Sequence, residues 1–146
     1  MDYSVLKKLF LIEIVLLFIQ FWMGMSTNLF VNIPVSSFNF FGYSDGWLVL
    51  AHIVNGALIL AVSGAILFYS FQTKIGLIRN LSTLTVLFVV SALVNGVVFL
   101  KGFSIPSLYN VENDFSMAMA MSFLFAFTVL FSEVYAIART EKINQG

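Results

Sequence analysis

The chain contains no cysteine, one histidine, two prolines and few charges: 10% of its 146 residues are Asp, Glu, Lys or Arg. Without cysteine there is no disulfide framework, no thiolate metal site and no all-cysteine iron–sulfur cluster. Soluble domains carry about a quarter charged residues, so this chain cannot cover a surface that is 60% hydrophobic in composition. A formal net charge of +0 gives no attraction to nucleic acid, and none is expected as a partner. With a single histidine, no G-x-S-x-G, no H-E-x-x-H and no glycine-rich phosphate loop, hydrolytic and phosphoryl chemistry lack their parts. Catalysis is not expected.

What the chain does hold is apolar length. Its mean hydropathy is +1.00, and four runs, at about 9–30, 47–70, 81–100 and 115–137, are long enough to cross about 30 Å of hydrocarbon as helices. Backbone amides in lipid need internal partners, which makes helix the form for runs of this length. The first run follows Lys7 and Lys8, as a signal peptide would, but it exceeds the usual apolar stretch of about 7–15 residues and lacks a small-residue cleavage site. It reads as a retained span. The expected fold is all-α and integral to the membrane: one four-transmembrane-helix bundle over residues 1–146, in contact with the lipid bilayer.

Seven basic residues orient it. Lys7, Lys8, Lys74, Arg79, Arg139 and Lys142 fall on one side of the four-span reading, and Lys101 on the other. Short loops rich in Lys and Arg stay in the cytoplasm, so the chain is read as a cell-membrane protein with both termini cytoplasmic. The external loops, 31–46 and 101–114, carry Phe38, Phe40, Phe41, Tyr43 and Tyr109, residues suited to the headgroup level. The inner connection, 71–80, is short. A faint repeat also appears: Gly24 precedes Pro34 as Gly96 precedes Pro106, which reads as two duplicated helix pairs.

On helical wheels at 100° per residue the polar and small residues gather into stripes. Span one aligns Glu13, Gln20 and Gly24. Span two aligns His52, Asn55, Gly56 and Ser63, with Ala57, Ala61 and Ala65 as a separate small-residue ridge. Span three offers Ser91, Ala92 and Asn95, and span four Met119, Ser122, Ala126 and Glu133. In lipid such stripes mark helix interfaces, because small residues permit close approach and polar groups bond across.

His52 lies roughly 8 Å below the external interface, five residues in at 1.5 Å each. Met117, Met119 and Met121 lie at similar depth on span four. An imidazole facing a thioether inside a bundle can ligate haem iron, and Gly56, one turn below His52, would let a flat macrocycle approach. The plainer reading has His52 bonded to Asn95 or Gln20, with methionines filling gaps. Glu13 and Glu133 are intramembrane carboxylates, which need an interior partner. They read either as a proton inlet or cation site, or as groups reaching Arg79, Lys74 or Arg139 at the boundary.

Gln20-x-x-x-Gly24 in one span, an external loop, and His52 near the head of the next resemble a half-unit of the haem A synthase family. The likeness covers about half the chain and rests on common membrane residues. It implies a four-helix bundle with His52 as a haem ligand. The second helix pair departs from the pattern: it has no histidine, methionines standing nearest, and Asp45 is the lone acid of the first external loop. Two functional readings follow. One is a non-catalytic accessory or structural subunit of a membrane complex or homo-oligomer. The other is a b-type haem electron-transfer protein with His52 as axial ligand, Met119 opposite and Gly56 beside the ring. A small transporter or proton path through Glu13 and Glu133 is a third.

Overall fold

The computed structural model describes residues 3–30, 46–102 and 112–145. Four helices follow in order: α1 (Ser4–Phe30), α2 (Gly46–Gln72), α3 (Gly76–Gly102) and α4 (Glu112–Gln145). Each is long and apolar enough to cross a membrane. The proline turns, Asp45 and the aromatic residues 38–43 and 109 assigned above to the headgroup level lie outside the described residues.

All four helices outrun the apolar stretches that announced them. α1 starts at Ser4 rather than near 9, α3 at Gly76 rather than near 81, and α4 runs to Gln145 rather than ending near 137. Hydropathy marks only the hydrocarbon-crossing part, whereas the i to i−4 hydrogen bonds continue wherever the backbone can still pair. The inner connection therefore shrinks to residues 73–75. Thr73 closes it: its hydroxyl donates to the Ser70 carbonyl at 2.7 Å and accepts from the Ile75 amide at 3.2 Å. Lys74, at φ 59°, takes the left-handed conformation that ends a helix and lets the chain reverse.

Successive helices are antiparallel, as the cross-helix contacts demand. From α1 to α2, Glu13 meets Ser63 and Gln20 meets His52. From α3 to α4, Thr85 meets Glu133 and Ser91 meets Ser122. In both series the partner number falls as the first rises. Packing is most extensive between α3 and α4 and much slighter between α1 and α4. Phenyl rings fill that last seam: Phe18 meets Phe127 edge-on at 5.3 Å, and Phe21 stacks on Phe123 at 6.2 Å. Large apolar side chains such as Leu11, Trp22, Leu29, Trp47 and Phe68 point outward. Such an exterior suits acyl chains, not water.

The buried positions follow one pattern in both helix pairs. α1 buries Leu6, Phe10, Glu13 and Leu17; α3 buries Ile78, Ser82, Thr85 and Val89, each 72 positions after its counterpart. α2 buries Asn55, Ile59, Ser63, Ile66 and Ser70; α4 buries Ser122, Ala126, Leu130, Glu133 and Ile137, each 67 positions on. The steps of three and four are those of a helix presenting one stripe to its neighbours.

Candidate functional site

Two groups of polar side chains occupy the interior. The first lies toward the end of the bundle remote from the termini. There Asn55 Nδ2 donates to the Leu16 carbonyl at 3.0 Å and to Gln20 Oε1 at 2.7 Å. Gln20 Oε1 being the acceptor, its Nε2 amide is left to face His52 Nε2, at 3.1 Å. An amide nitrogen only donates, so His52 Nε2 accepts and the ring proton resides on Nδ1. That Nδ1 is buried with no hydrogen-bond partner.

Gly24 makes this arrangement fit, and Gly56 lies in ordinary contact with it. A Cβ on Gly24 would stand 3.2 Å from His52 Cε1, and one on Gly56 would stand 3.4 Å from Gln20 Nε2. The space beside Gly56, assigned above to a flat macrocycle, is thus taken by the Gln20 amide. Of the three methionines, Met117 and Met121 are exposed, and Met119 is the one turned inward. Its sulfur would be 3.2 Å from a Cβ on Gly96. His52 and Met119 therefore occupy like stations, each seated on the glycine of its own helix pair. In the second pair Ser91 and Ser122 share a hydrogen bond of 3.0 Å, and Asn95 Nδ2 donates to the Ser91 carbonyl at 2.8 Å.

The second group lies nearer the termini. Glu13 and Glu133 are both wholly buried. Ser63 Oγ donates to Glu13 Oε1, and Thr85 Oγ1 donates to Glu133 Oε1 at 2.8 Å. Ser82, whose hydroxyl is given to the Ile78 carbonyl at 2.9 Å, lies beside Glu133. Both Oε2 atoms are buried without a hydrogen-bond partner. The boundary pairing with Arg79, Lys74 or Arg139 is not what forms: those three side chains are exposed while the carboxyls turn inward to hydroxyls. Long basic side chains gain more from water at the interface than from a core they would have to enter stripped of hydration.

No family model, curated protein or solved structure matches the chain.

The site thus rests on its own geometry. Gln20, Asn55 and His52 come together as a single network, whereas Asn95 bonds within the other pair rather than to His52. Thr85 and Ser82 were missed in the sequence reading, though a signal existed. Thr85 stands seven positions before Ala92, hence about 20° from it on the wheel and in the same stripe. Among the described residues no group of three or more metal-ligating His, Cys, Asp or Glu side chains assembles.

Proposed function

We propose that this chain is a non-catalytic subunit of a larger membrane assembly, a four-helix bundle that holds its shape by polar bonds between helices. The observation that carries the reading is the employment of the interior. Gln20, Asn55, Ser63, Thr85, Ser91 and Ser122 all bond across to the neighbouring helix. Side chains so engaged fix helix register; they do not turn toward a substrate. Ala57, Ala61 and Gly64 add a place for a partner: they lie exposed on α2, and small residues let a second helix approach closely. The basic-residue count supports a cell-membrane setting with both termini cytoplasmic. The matched stations of burial support a duplication in which α1–α2 and α3–α4 descend from one helix pair.

The haem reading has one observation in its favour, the like stations of His52 and Met119 on Gly24 and Gly96. The donor atoms as placed do not fit that group. His52 Nε2 is engaged by Gln20, Nδ1 lies against Gly24, and the room beside Gly56 is filled. Electron transfer through haem is therefore the second reading.

Absorption spectroscopy and native electrophoresis of the protein extracted from its own membranes test both. The subunit reading expects migration in a complex of fixed composition, which Ala61→Leu weakens, and no Soret band. A Soret band lost in His52→Ala would replace it with the haem reading.

A further inference from the structure

We propose that Glu13 and Glu133 form one proton-binding site, a coupled pair of carboxyl groups that holds an exchangeable proton inside the apolar bundle. This goes beyond the subunit reading, which needs these residues only to join helices.

Three features lead there. Both residues are 0% exposed, yet each leaves one carboxyl oxygen, Oε2, with no partner. An ionised carboxylate in hydrocarbon is costly unless a cation or several donors meet it. The Phe18–Phe127 and Phe21–Phe123 contacts across the α1–α4 seam set Glu13 and Glu133 at one level of the bundle, both turned to its interior. Two like charges near one another in a poorly screening medium cannot both persist, so such pairs exchange protons as a unit.

The groups around them decide which cation. α2 contributes Ser63; α3 contributes Ser82 and Thr85. Every described lysine and arginine with a placed side chain, namely Lys7, Lys8, Lys74, Arg79 and Arg139, is exposed. Of the described tyrosines, Tyr3 and Tyr69 are half-buried and Tyr135 is exposed. A basic partner would hold a carboxylate permanently ionised. A hydroxyl donor serves both forms, the ionised one more strongly, since it can donate to the oxygen of an ionised carboxylate or to the carbonyl oxygen of the acid. A proton can thus come and go without the loss of either bond. It is also the cation that needs no added room among wholly buried side chains. The acids stand on different helix pairs, nine residues or roughly 14 Å from the start of α1 in the case of Glu13.

The test is pH-dependent labelling of the full chain in detergent with dicyclohexylcarbodiimide, which attacks protonated carboxyl groups in apolar surroundings, with sites read by peptide mass spectrometry. Glu13 and Glu133 are expected to label, and the labelling to fall in two stages as pH rises. In Glu13→Gln the labelling of Glu133 falls in a single stage. Labelling independent of pH, or confined to other acids, overturns the proposal. Protection by sodium but not choline at fixed pH overturns it too, by assigning the site to a metal cation. Should Glu13→Gln fail to fold, infrared difference spectra of the unaltered protein across a pH jump decide instead. Loss of a protonated-carboxyl C=O band supports the site, and its absence contradicts it.

Discussion

The α1–α2 pair and the α3–α4 pair bury the same stations and fill them with different chemistry. Where α2 has Ser63, α4 has Leu130; where α2 has Ile66, α4 has Glu133; where α1 has Glu13, α3 has Thr85. Each pair thus joins one acid to one hydroxyl, but the acid sits on the first helix in one and on the second in the other. At the far end the first pair places His52 on its glycine and the second Met119. The lesson is that packing dictates which positions face inward, while several side chains satisfy each one. Polar groups at these stations are therefore choices that packing alone does not require.

The comparison breaks most severely at Leu130, which is 0% exposed. Leu130→Ser gives the second pair the residue of the first without its acid partner. It is expected to cost about 3 kcal/mol, combining a lost methyl cluster with a hydroxyl lacking a cross-helix acceptor. Ser63→Ala at the matching station removes one hydrogen bond and should cost about 1–2 kcal/mol. Thermal unfolding in one detergent, followed by circular dichroism, ranks the two, and equal losses would mean the stations are not alike.

The glycines sharpen the comparison at smaller scale. Gly24→Ala presses on a rigid imidazole and Gly96→Ala on a flexible thioether, at the same 3.2 Å. Overpacking of the first should cost about 1–2 kcal/mol and of the second less than about 1 kcal/mol, because methionine re-packs. The same unfolding assay reads the difference. The smallest effect is expected for the coupling of Gln20 with Asn55. A double-mutant cycle with leucine at each position should return about 0.6 kcal/mol, the average for hydrogen bonds between membrane helices. A value near zero would deny the network its part in register.

Much of this was open to reading in the sequence. Four long apolar runs with few charges leave little choice but four helices, and the wheels put Glu13, Gln20, Asn55, Ser63, Ser122 and Glu133 on inward stripes. Helix ends were not legible, because residues such as Arg79 and Asn80 lower hydropathy without ending a helix. Partners were harder still. Periodicity gives a side chain's direction but not its reach, so Asn95 and Gln20 stood as equal partners for His52, when Gln20 bonds to it and Ser91, one turn away, satisfies Asn95 locally. Thr85 escaped because a threonine in a membrane helix can bond its own backbone, and only the facing Glu133 distinguishes it.

Native mass spectrometry of the protein released from its own membrane tests the subunit reading most directly, since it weighs the chain together with whatever it holds. The expected result is a 16.3 kDa chain bound in fixed proportion to other polypeptides and carrying no prosthetic group. A solitary chain heavier by one haem would contradict it.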